Sequence, residues 1–255
     1  MDRYDLDHIA LAAADTAPAL RYLTGELGGT VIFGGQAFGF RPMQVWIGDA
    51  DGDGMPIELL EPWATERNDF LARFVARHGP GPHHLTFKVP DLLATIERMR
   101  GSGFQPVNVD LSDPTWKEAF LLPREANGTV VQLAETTNGF GSRASMLANV
   151  RANGPNAHPR WWVDPVAHDG TPAKLRRVVL RTPSLSTGLG LFAGMLHGDV
   201  EVERASTAEL VWPGGARIML EARPDEAPGV DRLEIEGLAA PVTLLGTRFV
   251  PATSA

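Results

Sequence analysis

The sequence contains no cysteine, which excludes disulfide bonds, thiolate catalysis and sulfur-ligated zinc or iron sites. Any bound metal must therefore be held by nitrogen and oxygen atoms. Long apolar runs are also missing, since no stretch approaches the ~20 residues of a transmembrane helix. The N-terminal segment MDRYDLDHIALAAADTAPAL places aspartates and an arginine ahead of a short apolar run, unlike a signal peptide. We therefore expect a cytoplasmic protein without a membrane partner.

An excess of positive charge is likewise missing from this chain. The formal net charge is -8, which repels polyphosphate backbones, so nucleic acid is not an expected partner. Hydrophobic residues make up 44% and charged residues 21% of the 255 residues, as in ordinary globular proteins. This length allows two compact units.

Two segments of the chain share one pattern of residue types. LDHIALAAAD at 6–15 and PHHLTFKVPD at 82–91 each combine a histidine, an alternating apolar strand and an aspartate. A helical pattern follows each segment, with Asp15 or Thr16 as the first predicted N-cap and Asp91 as the second. Three strand patterns then follow each helix, at 30–34, 43–48 and 55–61 and at 105–109, 117–122 and 129–135. The order β-α-β-β-β therefore occurs twice.

The repeat predicts an α+β protein in which paired βαβββ modules form a curved, barrel-like sheet with a metal cleft. Residues 1–136 contain the two modules, residues 137–172 are predicted to be a linker because of their Gly, Asn and Pro clusters, and residues 173–255 form a shortened, degenerate copy. Loosely aligned, the copy has Arg177, Met219 and Arg232 where the first region has two histidines and a glutamate. Such side chains do not suit a hard divalent cation, so the copy is expected to be metal-free.

Four polar residues are predicted to converge on the cleft. If the modules are related by pseudo-twofold symmetry, the first and last strand of each contribute one side chain, namely His8, Glu58, His84 and Gln132. Two imidazoles, one carboxylate and one amide oxygen suit a single divalent ion of Mn, Co, Ni, Zn or Fe. A lone strand histidine is more often an ordinary core residue, but repetition at matched positions favours the metal. His83 is expected to point to the opposite face of its strand.

The motifs LDHIALAAAD, IELLEP, GPGPHHLTFKV and GTVVQLAE resemble the vicinal oxygen chelate superfamily, which includes glyoxalases, bleomycin resistance proteins and dioxygenases. They are most similar to its methylmalonyl-CoA epimerase-like members, over about the first 136 residues. The resemblance implies that His8, Glu58, His84 and Gln132 are the metal ligands. It also implies an isomerase or epimerase, or a glyoxalase-type lyase, acting on a small oxygen-chelating substrate, an acyl-CoA among the options, through a metal-stabilised enolate.

The expected catalytic residues depart from the epimerase pattern. Epimerases of this family resemble one another in carrying two glutamates that exchange the α-proton, and the corresponding positions here hold Gln44 and Gln132. An amide cannot accept that proton at working pH. Because QVWIGD at 44–49 matches EAFLLP at 118–123, Glu118 is predicted to be the symmetry mate of Gln44 and a candidate single general base. An ion pair with Lys117 or Arg41 is the alternative interpretation of Glu118.

Two further functions stay open. Two histidines and one carboxylate can form the facial triad of a non-haem Fe(II) dioxygenase, although the dioxygenases of the family resemble each other in placing the carboxylate where this chain has Gln132. A metal-free protein that binds small molecules, such as drugs, is the other candidate. A coenzyme A ester would need cationic anchors, for which Arg21, Arg41 and Lys88 are candidates. The extra copy could replace or create the contact of a homodimer.

Overall fold

The computed structural model describes residues 3–137, 142–157 and 164–252. Its helices are α1 Ala17–Gly25, α2 Phe70–His78, α3 Leu92–Gly101, α4 Arg143–Asn153 and α5 Leu185–Leu189, with a π-helix over Gly190–Met195 directly after α5. Its strands are β1 Asp5–Ala12, β2 Thr30–Gly34, β3 Gly39–Gly48, β4 Gly54–Trp63, β5 Gly81–Lys88, β6 Val107–Asp110, β7 Trp116–Leu121, β8 Val130–Thr136, β9 Asn156–Ala157, β10 Lys174–Thr182, β11 Asp199–Glu203, β12 Thr207–Val211, β13 Arg217–Ala222, β14 Gly229–Glu236, β15 Val242–Leu244 and β16 Thr247–Pro251.

The first sheet contains both predicted modules. Its strand order is β6-β7-β8-β5-β1-β4-β3-β2-β9, an open order with β6 and β9 at the edges. β1 pairs in parallel with β4, and β5 pairs in parallel with β8. The antiparallel pairs β3–β4 and β7–β8 complete the two modules. The predicted α+β class and the paired βαβββ modules are therefore confirmed.

The second sheet holds the C-terminal strands in the order β11-β12-β13-β10-β14-β16-β15. The succession β10, α5, β11, β12 and β13 repeats the order of one module, and β10 pairs in parallel with β13 as β1 does with β4. The remaining strands β14 to β16 carry no helix between them, which matches the prediction of a shortened copy.

Local capping explains where the module helices begin. Asp91 accepts a hydrogen bond from the backbone N–H of Ala94 at 2.9 Å, so it is the N-cap of α3 as predicted. Thr16 precedes α1, and its N–H and hydroxyl both donate to Glu61 Oε2. Thr16 is thus the N-cap residue and is held by the carboxylate of a neighbouring strand, while the Asp15 side chain accepts a hydrogen bond from the Ala17 N–H at 3.0 Å.

Two helices lie outside the predicted pattern. α2 follows the first module, and its sequence FLARFVARH has the apolar spacing of an amphipathic helix that ends before Gly79. α4 lies inside the predicted linker and is capped by Ser142. Residues 138–141 and 158–163 of that predicted linker lie outside the described residues. Among the described residues, none of the helices has the length and apolar character needed to cross a membrane.

The chain divides into two compact units, each assembled from three segments. The first comprises Met1–His8, His84–Gly141 and Arg177–Arg232, and the second comprises Ile9–His83, Ser142–Arg176 and Leu233–Ala255. In the first unit the ring of Phe87 packs 5.3 Å from that of Trp212 and 6.1 Å from that of Phe192. The domain boundaries inferred from the sequence stay a prediction.

In the second unit, ion pairs attach the first residues of β10 to the turn between β3 and β4. Lys174 Nζ lies 2.7 Å from Asp49 Oδ2 and 3.0 Å from Asp53 Oδ2, and Arg176 binds both oxygens of Asp53. The same unit holds an apolar cluster in which Ala10, Ala12, Leu60 and Leu71 are buried.

Candidate metal centre

Strand register determines which side chains share a face of the first sheet. Ala10 pairs with Glu58, and Thr86 pairs with Gln132. Because side chains alternate along a strand, His8 lies on the same face as Ala10, and His84 on the same face as Thr86. We call this side of the strands the histidine face.

Three side chains of the histidine face form a compact group of potential ligands. One donor atom from each of His8, Glu58 and His84 lies within 4.8 Å of the others, and all three residues are buried. Their exposed fractions are only 1%, 7% and 6%. The imidazole rings lie 5.8 Å apart between centroids and stand at 66° to each other. Three of the four predicted ligands are therefore together.

His8 is held at both ring nitrogens. Nδ1 lies 2.9 Å from Asp7 Oδ2, and Nε2 lies 3.0 Å from the hydroxyl oxygen of Thr86. The other oxygen of Asp7 lies 2.8 Å from Lys88 Nζ. Burial raises the pKa of the Asp7 carboxyl, but the charge of Lys88 and the hydrogen bond from His8 outweigh it and hold that pKa well below its usual range. Asp7 is thus a carboxylate, and His8 Nδ1 donates to it.

Gln132 and Glu118 join the same network from the second module. The Thr86 hydroxyl donates to Gln132 Oε1 at 2.6 Å, and Gln132 Nε2 donates to Glu118 Oε2 at 2.7 Å. The indole N–H of Trp116 donates to the same carboxylate oxygen at 2.9 Å. A continuous hydrogen-bonded path therefore connects His8 with the predicted base.

The first module pairs an amide with a carboxylate in the reverse arrangement. Gln44 Nε2 donates to Glu58 Oε1 at 3.2 Å, and the two residues are direct partners in the β3–β4 register. In the β7–β8 register the direct partner of Gln132 is Phe120. Phe120, not Glu118, is therefore the counterpart of Gln44. The equivalence predicted from sequence is wrong by two residues, but Glu118 lies on the predicted face because side chains alternate with a period of two.

His83 lies apart from the ligand group, in agreement with its predicted opposite face. Its ring contacts Phe74 at 4.6 Å and Phe70 at 6.1 Å between centroids. Burial lowers the pKa of His83 to about 4, although the Glu58 carboxylate opposes this shift. His83 is therefore a neutral packing residue at neutral pH.

The cations proposed as phosphate anchors are engaged elsewhere or lie on the surface. Arg41 forms an ion pair with Glu61 and lies over the ring of Trp63. Lys88 is paired with Asp7 as described, and Arg21 is exposed. In the first unit, Arg177 pairs with Glu209 and Arg232 pairs with Glu221, so two of the three predicted counterparts of the ligands in the C-terminal copy form ion pairs.

The donor set fits a divalent cation. Two imidazoles and one carboxylate, all buried and with donor atoms within 4.8 Å, supply the nitrogen and oxygen ligands that Mn, Fe, Co, Ni and Zn accept. Sequence reasoning missed Asp7, Thr86 and Trp116, which support these side chains. The only available signal was the position of Asp7 directly before the repeated histidine.

The comparison with known families agrees with this arrangement. Residues 7–120 match the model of the Glyoxalase/Bleomycin resistance protein/Dioxygenase superfamily. This region is therefore similar to that superfamily. The resemblance inferred from the repeated motifs is thus confirmed for the region that carries the three clustered side chains. No curated protein matches the chain.

Several solved structures are similar to this chain. A hypothetical protein from Staphylococcus aureus is similar over 97% of this chain and 99% of its own, with a TM-score of 0.61 and 12% identity, which shows the fold alone. A methylmalonyl-CoA epimerase from Mycobacterium tuberculosis aligns with 52% of this chain and 88% of its own (26% identity, TM-score 0.44). A hypothetical protein from Bacillus halodurans aligns with 54% of this chain and 98% of its own (26% identity, TM-score 0.47).

Proposed function

We propose that this chain is a divalent-metal-dependent isomerase, epimerase or glyoxalase-type lyase that acts on a small substrate with two chelating oxygens. The observation that carries the proposal is the buried group of His8, Glu58 and His84, whose donor atoms lie within 4.8 Å of one another. A divalent ion, when bound, supplies a Lewis acid that polarises a substrate carbonyl and acidifies the neighbouring C–H bond. The superfamily of residues 7–120 is consistent with this role.

Glu118 is the proposed general base. Its Oε2 accepts hydrogen bonds from two neutral groups, the amide of Gln132 and the indole of Trp116, so no cation neutralises it through these contacts. The cations named in the alternative interpretation are paired with other carboxylates, Lys117 with Glu135 and Arg41 with Glu61. Both donors bind Oε2, and we assign Oε1 to accept the substrate proton.

Gln44 and Gln132 are proposed to orient the two carboxylates. Gln44 donates to Glu58, the ligand carboxylate, and Gln132 donates to Glu118. Neither amide can accept a proton at working pH, so a single carboxylate base must remove the proton. Gln132 also remains the predicted fourth ligand through its amide oxygen. To bind the metal, that oxygen must give up its hydrogen bond from the Thr86 hydroxyl.

The charges around the histidine face favour a small substrate over a coenzyme A ester. Two of the three candidate anchors, Arg41 and Lys88, are occupied by carboxylates, so only the exposed Arg21 remains from that set to bind a phosphate. A substrate that presents a carboxylate or carbonyl pair needs no such anchor. We therefore propose short 2-oxo or 2-hydroxy acids, or acyl compounds of similar size, as the substrate class.

Metal analysis tests this proposal most directly. Protein purified without chelator or affinity metal would be analysed by plasma mass spectrometry beside a His8→Ala/His84→Ala variant. We expect about one divalent ion per chain in the wild type, as one three-ligand centre implies, and loss of that ion in the variant. If neither protein contains stoichiometric metal, even after addition of divalent ions, the proposal is wrong and small-molecule binding is left as the function.

A second readout follows the proposed chemistry. Candidate substrates would be incubated with the metal-loaded protein in deuterium oxide, and incorporation of deuterium beside the carbonyl would be followed by NMR. Exchange that needs both the metal and Glu118 supports proton abstraction. Metal binding without exchange in any of these substrates contradicts the isomerase and lyase chemistry.

A non-haem iron dioxygenase is the second candidate, because two histidines and one carboxylate are the donor set of the facial triad. The discriminating measurement is oxygen consumption by protein loaded anaerobically with Fe(II) and then supplied with a catechol. Oxygen consumption only with iron would favour the dioxygenase. Deuterium incorporation into the substrate with Mn, Co, Ni or Zn bound would favour the isomerase or lyase.

A further inference from the structure

Asp7 directly precedes His8 and contacts its ring on the side away from Thr86. Its Oδ2 lies 2.9 Å from His8 Nδ1, while Nε2 of the same ring lies 3.0 Å from the Thr86 hydroxyl. We propose that Asp7 is a positioning residue of the metal centre, which fixes the tautomer and ring orientation of His8 so that Nε2 is the ligand atom. This inference rests on the proposed function, because only a metal centre requires a defined lone pair there.

The argument follows from which atoms can donate hydrogen bonds. A carboxylate can only accept, so the contact requires a proton on His8 Nδ1. Thr86 gives its single hydroxyl proton to Gln132 Oε1, so Nε2 can bond to Thr86 only as a donor. A cation that takes Nε2 as its ligand replaces that proton, whereas Nδ1 keeps its own proton because Asp7 accepts it. The other tautomer would place a lone pair of Nδ1 against a carboxylate oxygen. A carboxylate behind a ligating histidine also makes the imidazole a more basic ligand.

Lys88 fixes the carboxylate in turn. Its Nζ lies 2.8 Å from Asp7 Oδ1, and Lys88 lies on β5, four residues after His84. The carboxylate of Asp7 therefore uses one oxygen for each of two neighbours and cannot rotate away from His8 without breaking the ion pair. β1 and β5 are adjacent in the first sheet, so this contact also links the two strands that carry the histidines.

A purely structural role for Asp7 makes a different prediction. An ion pair between neighbouring strands contributes to folding stability, and its removal would lower the free energy of unfolding without changing the affinity for metal. The chain offers a matched control for this effect in Glu135, which accepts a hydrogen bond from Lys117 between β8 and β7 at similar partial exposure. Glu135 contacts none of the clustered side chains through that bond.

The test compares Asp7→Asn, Asp7→Leu and Glu135→Gln with the wild type as full-length proteins. Zinc affinity would be measured by competition with a chromogenic chelator, Co(II) loading by visible absorption, and folding by thermal unfolding in EDTA. We expect Asp7→Leu to bind zinc about 10–100-fold more weakly, the range typical of carboxylates that support metal-binding histidines. Asp7→Asn should lose less, because an amide oxygen can still accept from Nδ1, and Glu135→Gln should match the wild type.

The Co(II) spectrum separates positioning from stability. An altered ring orientation changes the ligand field, so the d–d bands of Asp7→Leu should shift, whereas those of Glu135→Gln should not. If both Asp7 variants bind zinc and Co(II) as the wild type does, the positioning role is wrong while the metal centre stands. If the wild type itself binds no metal, the proposed function and this inference both fail. Should Asp7→Leu not fold, the isosteric Asp7→Asn decides the outcome.

Discussion

The two βαβββ modules of the first sheet carry the same polar residue types in opposite order. In the first module the last strand holds the carboxylate of Glu58 and the preceding strand the amide of Gln44. In the second module the last strand holds the amide of Gln132 and the preceding strand the carboxylate of Glu118. Each module therefore has one of these carboxylates, at positions that are not equivalent.

Because the two carboxylates stand at different positions, we propose different roles for them, metal ligation for one and proton transfer for the other. Glu58 belongs to the buried group with His8 and His84, where a carboxylate can ligate a cation. Glu118 is bound by an amide and an indole, which leave its charge uncompensated by those contacts. We therefore propose that the first module contributes the carboxylate ligand, beside one histidine from each module, and that the second module contributes the base.

The largest effect is expected from the carboxylate of the second module. Glu118→Gln should lower the rate of deuterium exchange by about 10²–10⁴-fold, the usual contribution of a general base. Zinc affinity should stay at the wild-type value, because Glu118 is outside the ligand group. Exchange kinetics and chelator competition on the same preparation check both statements. An unchanged exchange rate would remove Glu118 from the proposed mechanism.

The opposite pattern is expected in the first module. Glu58→Gln replaces a carboxylate ligand by a neutral amide, and metal affinity should fall by about 100-fold, which corresponds to roughly 2.8 kcal/mol. Exchange should recover at saturating metal if Glu118 is the base. If exchange stays absent at full occupancy, Glu58 takes part in proton transfer and the division of roles between the modules is wrong.

The turns that close the two modules are anchored in different ways, and this predicts a smaller effect. The turn between β7 and β8 contains Asn127, whose Oδ1 accepts a hydrogen bond from the buried Thr182 hydroxyl at 2.7 Å. Thr182→Val keeps the shape of the side chain but removes the donor, so the free energy of unfolding should fall by about 1–3 kcal/mol. Urea unfolding measures this loss, and an unchanged midpoint would show that the hydrogen bond contributes nothing to the free energy of unfolding.

The smallest effect is expected at the turn between β3 and β4, which uses charges. The hydrogen bond from Lys174 lowers the pKa of Asp49. Burial raises the pKa of Asp53, but bonds from Lys174 and Arg176 lower it further than burial raises it. A lowered carboxyl pKa contributes stability above the ordinary value of 3.8, and this contribution disappears as pH falls through the folded-state pKa.

Lys174→Met should therefore reduce the free energy of unfolding at neutral pH by less than about 1 kcal/mol, as is usual for exposed ion pairs. The difference from the wild type should shrink as the pH is lowered below 3.8. Thr182→Val should show no such convergence, because its hydrogen bond contains no titrating group. Thermal unfolding of both variants and the wild type across this pH range measures the two losses of stability. If both losses changed with pH in the same way, the predicted difference between the two turns would be wrong.

The repeated motif determined much of this protein by itself. Alternation along the strands and the doubled order β-α-β-β-β were sufficient to predict the modules, the cap at Asp91 and the shared face of His8 and His84, because these features depend on local periodicity. The same periodicity correctly placed Glu118 on the histidine face. It could not place Glu118 along the strand, because a shift of two residues preserves the face, and only the pairing of Phe120 with Gln132 decided the register.

Other features were decided only by tertiary structure. α2 was not predicted, because it follows the last strand of the first module and lies outside the repeated β-α-β-β-β pattern. The support of His8 by Asp7 and Lys88, the path through Thr86 and the binding of Glu118 by Trp116 all depend on side-chain contacts between or along paired strands. Sequence patterns specify which way a side chain faces, whereas the distances that create a site arise from long-range packing of strands that the pattern cannot position.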